Sequence, residues 1–304
     1  MTFDSSIELD DETEFLQRAI FKAHATLKAP KPPKPFSPTL EQLTKSLRVK
    51  DEELELRLRP PRPTLPSSLP PEDEVKVKSL LNKQGVVSKF AREQVSNQDL
   101  SRLRPGQWLN DELINFYGAM ILARSEESKE NSVKWNKGNK KPLDVHYFSS
   151  FFWAKLTGDG YEKGRLAKWT KKIDIFSKDV ILIPVNHGNA HWTAAAINFR
   201  KKRLESYDSM GMAKEKVFKV LHLYLDEEHR NKKKKPFDFT GWENWAPDDT
   251  PQQENGYDCG VFTCQFLEAL SRGEEDFIFT QKDMPYLRRR MIWEIGNSKL
   301  RDDY

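Results

Sequence analysis

The residues best equipped for covalent chemistry fall in PQQENGYDCGVF (251–262). Cys259 follows Asn255-Gly256, a turn dipeptide, and Asp258, a residue type that caps helices. A helix starting at or just after the cysteine points its positive end at the thiol, which favours thiolate, the nucleophilic form. Such a sulfur needs a general base. His191 opens an apolar strand directly after the turn HGNA (187–190), where an imidazole can point out of a core. Asp208 lies seventeen residues further on, at the end of the next strand, so a hairpin can bring its carboxylate to one ring nitrogen while the other faces the sulfur. Gln253 sits six residues before the thiol in a loop, and its amide N–H2, with backbone amides near Cys259, can hold a developing oxyanion. The chemistry these four types supply together is acyl transfer through a thioester.

Each residue taken singly has a structural reading: a buried cysteine, a hydrogen-bonded histidine, a turn aspartate, a loop glutamine. Cys264 keeps that reading, inside a helix beside Phe266. His187 and His191 are spaced like zinc ligands, but their turn-to-strand setting is not helical and no third ligand is evident, so neither metal nor cofactor is expected.

The elements that must position these groups are legible from periodicity. PEDEVKVKSLLNKQG (71–85) reads as a helix opened by acidic residues and closed at Gly85. NDELINFYGAMILARSEE (110–127) reads as a second, with Leu113, Phe116, Tyr117, Met120 and Ile121 on one face and Asn110 or Asp111 as cap. DVILIPVN (179–186), HWTAAAINF (191–199) and RLESYDS (203–209) read as three strands of an antiparallel meander. CGVFTCQFLEAL (259–270) and MPYLRRRMIWEI (284–295) return to helix. Helices, then strands, then helices means α+β.

Composition sets the boundaries. Of 18 prolines, 11 lie in residues 1–71, ahead of the first glycine, Gly85, and the first tryptophan, Trp108. Residues 1–71 are therefore expected as a disordered, proline-rich tail or linker, with polyproline II character in 29–38 and 59–71. One short helix is expected within it over 37–49, on Leu40, Leu43 and Leu47. Residues 72–304 can bury one sizeable core. Two cysteines exclude a disulfide scaffold and a thiolate zinc site, no apolar run suits a membrane span, and the start lacks the apolar stretch of a secretion signal. The net charge of +4 is small and the tryptophans are not interleaved with the lysine run NKKKKP (231–236), so no nucleic acid is expected. That run reads as a solvated loop or as a nuclear-import signal.

Six ordered blocks carry a family resemblance: QWLNDELINFY (107–117), VHYFSSFFWAKL (145–156), GYEKGRLAKWTKKIDIF (160–176), the stretch 180–211 from VILIPVNHGNAHW to YDSMG, PQQENGYDCGVFTC (251–264) and MPYLRRRMIWEI (284–295). The chain resembles the Ulp/SENP SUMO-specific cysteine proteases over nearly all of 72–304. The resemblance implies a papain-like α+β fold, a central antiparallel sheet flanked by helices, with His191 as base, Asp208 as its orienter, Cys259 as nucleophile and Gln253 as oxyanion donor. It implies that Trp108 and Trp192 close a slot over the Gly-Gly tail of SUMO, because two flat indoles admit backbone without side chains. It implies that Asp111, Phe148 and Lys168 contact the globular body of SUMO, Asp111 having a rival role as helix cap. SUMO precursors and SUMO-conjugated proteins are the partners it implies, a monomeric catalytic domain the assembly, and the nucleus or nuclear envelope, then cytoplasm, the location. The other readings are a protease for ubiquitin or another ubiquitin-like modifier, and a SUMO-binding module without turnover.

Overall fold

The structure, a computed structural model, describes residues 11–28, 39, 64–130, 143–212 and 214–301. The chain divides into two compact units, Met1–Pro61 and Arg62–Tyr304. In the first, Asp11–Lys28 forms a helix (α1), where sequence reading placed no element; Arg18 and Glu14 pair on it one turn apart. The helix expected over 37–49 lies, but for Thr39, outside the described residues.

The second unit begins with proline-rich chain that packs rather than dangles: Leu69 is buried and Leu65 lies against the same core. Pro71–Asn82 (α2) follows, with proline at its first position and Glu72, Asp73 and Glu74 in its first turn, as a helix N-terminus favours. Val86–Phe90 (β1) and Glu93–Ser96 (β2) make a small antiparallel hairpin, and Asn97–Ser101 (α3) starts on a reciprocal capping box between Ser96 and Asp99. Asp111–Glu130 (α4) is the second expected helix.

The main sheet holds five strands in the order β3-β4-β5-β6-β7: Val145–Tyr147, Val180–His187, His191–Asn198, Arg203–Tyr207 and Glu243–Trp245. Its middle three are the expected antiparallel meander; β3 joins β4 and β7 joins β6 in parallel, so the sheet is mixed. Every residue of β5 is buried, because both faces of the sheet are covered. Ala194 and Ala196 pack into one core, Ala195 and Ile197 into the other. The second core is built by Phe151–Lys163 (α5) and Lys214–Lys233 (α6), neither placed from the sequence. The first is built by α4, Cys259–Ser271 (α7) and Met284–Asn297 (α8).

α7 runs through the middle of the unit with all its residues buried, polar ones included. Those polar groups are partnered: Glu268 takes Arg124 of α4 at 2.6 Å and Arg272 at 2.8 Å, and Gln265 donates to the Tyr117 hydroxyl at 3.3 Å. Close approach between helix α4 and β3 depends on one glycine. A Cβ at Gly118 would lie 2.0 Å from Tyr147 Cε1, in a buried ring pinned by a 3.1 Å hydrogen bond from its hydroxyl to the Ile114 carbonyl. Gly118→Ala is expected to destabilise the domain by about 1–3 kcal/mol, read as a lower denaturant midpoint with an unchanged slope.

Candidate active site

Three elements converge here. Cys259 is the first residue of α7, His191 the first of β5, and Asp208 the residue after β6; all three are buried. The β4-β5 hairpin closes with His187 opposite His191, and its turn needs Gly188 and Asn189 at φ 63° and 59°. Pairing of β5 with β6, Ala194 opposite Tyr207, then carries the chain so that Asp208 emerges beside His191. His191 Nε2 and Asp208 Oδ1 are 2.7 Å apart. Asp208 is itself fixed, accepting the Met210 and Met212 amides at 2.8 Å each. The Cys259 side chain interacts with the same imidazole and favours its charged form.

Electrostatics follow from this geometry. Burial disfavours the imidazolium, but hydrogen bonds and charge attraction from Asp208 and Cys259 outweigh it, and the His191 pKa rises to about 9. Burial likewise pushes the Asp208 carboxyl up, yet the His191 hydrogen bond and the two backbone amides bring it below its ordinary value. His187 spends its Nε2 on the Thr193 hydroxyl at 3.0 Å, and burial with the neighbouring His191 charge lowers its pKa. Cys264, five residues along the same helix, is fully buried, and burial pushes its thiol well up.

The nucleophile's helix start is held by a buried clamp that sequence reading missed. Asp258 occupies the N-cap position without capping; its carboxylate goes instead to Arg288 Nε at 2.8 Å, with Asn255 and Gln281 amides on the other oxygen. Arg288 also donates to the carbonyls of Arg102, Arg104, Gln107 and Tyr257. One guanidinium therefore ties the residues just before Cys259 to the loop just before Trp108. The signal for it was an arginine spaced with Met284, Met291 and Ile295 on the apolar face of α8. Gly260 completes the contact: a Cβ there would sit 2.8 Å from Leu109 Cβ.

Residues 107–300 match the Ulp1 protease family, C-terminal catalytic domain. The chain belongs to the Ulp1 protease family. It is 41% identical over 207 residues to a sentrin-specific protease of Caenorhabditis elegans, covering 68% of this chain and 28% of that one. It is 35% identical over 217 residues to the sentrin-specific protease 2 of Homo sapiens, covering 71% of this chain and 34% of that protein. The chain thus spans about a third of the length of these relatives. Among solved structures, the C-terminal Ulp1 protease domain in complex with Smt3, the yeast ortholog of SUMO, superposes with a TM-score of 0.62 at 25% identity, over 79% of this chain and 98% of that one. The Ulp1-like SUMO protease catalytic domain of Chaetomium thermophilum gives 0.65 at 27%, over 81% and 97%. The papain-like α+β fold is that of these Ulp1 domains.

Within this Ulp1-type domain the remaining expected residues separate by exposure. Trp192 is buried, its indole N–H donating to the Leu109 carbonyl at 3.2 Å, so it stands against the segment that carries the half-exposed Trp108. The Gln253 side chain accepts from the Ser209 hydroxyl at 2.7 Å and spends one amide N–H on the Asn255 carbonyl. Asn110, not Asp111, caps α4, accepting the Leu113 amide at 3.3 Å, and Asp111, part-buried, opens the helix. Lys168 is exposed on a 3₁₀ turn, Leu166–Lys168. Phe148 requires correction: it is 2% exposed and stacks on Phe152 at 3.8 Å, so it cannot meet a partner's surface. The aromatic that block presents is Phe151, 58% exposed at the start of α5. Aromatic type alone did not separate them; the helix start that falls between them did.

Because its pKa is raised, the His191 imidazolium stabilises the fold below the ordinary value of 6.5, and that contribution is lost as pH rises through about 9. Cysteine reactivity toward a small alkylating agent is expected to change with a titration near pH 9, and Asp208→Asn to move that titration to lower pH. A transition unmoved by Asp208→Asn would detach the carboxylate from the imidazole.

Proposed function

We propose that this chain is a thiol isopeptidase that cleaves after the C-terminal Gly-Gly of SUMO, in precursors and in conjugates to target lysines. One observation carries the reading: His191 is hydrogen-bonded to the buried Asp208 carboxylate and its charged form is favoured by the neighbouring Cys259, in a domain of the Ulp1 protease family.

Cys259 thiolate attacks the carbonyl carbon of the terminal glycine, forming the carbon–sulfur bond and pushing charge onto the carbonyl oxygen. Gln253, through its second amide N–H, and the backbone amides at the start of α7 hold that oxyanion. His191 imidazolium gives its proton to the departing amine, and the thioester remains. Neutral His191 then takes one proton from water as the water oxygen attacks the thioester, expelling the thiolate and releasing the glycine carboxylic acid, which loses its proton to solvent. Asp208 keeps the ring oriented and stabilises its charged form through both halves.

Trp108 and Trp192 form the walls of a slot for the extended Gly-Gly tail, the buried Trp192 fixed by Leu109 and the half-exposed Trp108 closing from outside. The body of SUMO rests on the part-buried Asp111 and the exposed Phe151 and Lys168. The names of the relatives and the Smt3 complex support SUMO over other modifiers.

Cys259→Ala is expected to abolish cleavage of a SUMO precursor while leaving SUMO binding within about twofold. Near wild-type processing by that folded variant would refute the assignment. The unmodified domain should hydrolyse a SUMO fusion at least ~10²-fold faster than a ubiquitin fusion with the same Gly-Gly end; equal rates would remove SUMO as the substrate.

A further inference from the structure

The lysine run NKKKKP (231–236), which in sequence reads as a solvated loop or an import signal, is built into the fold. Lys232 and Lys233 form the last turn of α6, and Lys234 ends it at φ 61°. The Lys232 ammonium donates to the carbonyls of Thr170 at 2.6 Å and Ile173 at 3.4 Å, and lies 3.9 Å from Glu228 one turn back. Glu228 is completely buried; it accepts the Thr170 hydroxyl at 2.5 Å and the Tyr161 hydroxyl. Lys233 reaches Asp174 at 2.8 Å. Two adjacent turns of one helix thus grip a single segment, 161–174, from beneath.

That segment is chemically one-sided. From Lys163 to Ile173 it reads KGRLAKWTKKI, with five cations and no carboxylate. Lys163, Arg165, Lys168, Lys171 and Lys172 are all exposed, while Leu166 and Thr170 are buried and Trp169 packs edge-on against Phe152 at 5.8 Å. Like charges this dense repel one another and favour an expanded loop. Here a buried carboxylate and an ammonium bonded to two backbone carbonyls hold the backbone in one shape, so the cations keep fixed positions on one surface.

We propose that Glu228 and Lys232 are positioning residues for a cationic docking face, residues 163–172, that receives an acidic surface on the globular body of the modifier. The proposal rests on the reading that Lys168 contacts that body. Positive charge held in register with an acidic partner steers encounter and fixes orientation, and a loop that wanders loses both. The lysine run acts through this segment without touching the substrate.

The test compares two substrates on the full chain: a SUMO precursor and a short peptide ending in the Gly-Gly cleavage sequence. Lys232→Met is expected to raise KM for the precursor roughly fivefold with kcat nearly unchanged, to leave peptide hydrolysis at the wild-type rate, and to be rescued in part by Lys232→Arg. Glu228→Gln, which removes the charge and replaces one of the two acceptor oxygens with an N–H2 donor, should raise the same KM in the same direction. An unchanged precursor KM, or equal losses on both substrates, overturns the proposal. Lys168→Glu separates it from the reading beneath: if that variant leaves precursor KM unchanged, the contact itself is wrong, whereas a raised KM for Lys168→Glu with none for Lys232→Met refutes the positioning role alone.

Discussion

The 2.7 Å hydrogen bond between His191 Nε2 and Asp208 Oδ1 decides what the rest of the domain must do. Once one nitrogen is committed to the carboxylate, the ring can present only the other to a sulfur, and the sulfur must then arrive at one place. Register supplies the first half: β5 and β6 pair so that the histidine begins one strand and the aspartate follows the next. α7 supplies the second half, entering the core beside β5 with Cys259 at its first position. A slip of one residue in the β5-β6 pairing would turn one of the two side chains to the wrong face relative to the other.

Buried charge is the device that holds these halves together. Arg288 spends its donors on Asp258 and four carbonyls, and joins the nucleophile's helix to the Trp108 loop. Such a clamp adds little net stability over a well-packed apolar substitute, because desolvation offsets most of the attraction; removing one partner, however, leaves an unpaired buried charge costing about 3–5 kcal/mol. What it provides is geometry. The Glu228-Lys232 grip on 161–174 and the Glu268 cluster inside α7 follow the same logic, each tying a chain segment that hydrophobic packing alone would leave free to shift.

Sequence periodicity read the meander, the helices at 71, 110, 259 and 284, and the residues that meet at the site, because each signal was local: a β-branched run, a turn dipeptide, a cysteine after a cap-type residue. The full burial of α7 is not legible locally, because Gln265 and Glu268 look like solvent positions; their partners Tyr117 and Arg124 lie about 150 residues away in sequence and leave no local trace. α6 escaped because its sequence is charged, KEKVFKVLHLYLDEEHRNKK, and its lysine end resembles a loop until Thr170 and Glu228 are seen beneath it. Phe148 and Phe151 are indistinguishable by type, and only the helix start between them puts one ring in the core and the other in water.

The nucleophile is the central claim, and two thiols on one helix give it an internal control. Reaction of the domain with a SUMO whose C-terminal glycine carries an electrophile, followed by peptide mass mapping, is predicted to place the whole adduct on Cys259 and none on Cys264, one interacting with the His191 imidazole and the other sealed in the core. An adduct on Cys264, or no adduct on a folded protein, would contradict the account.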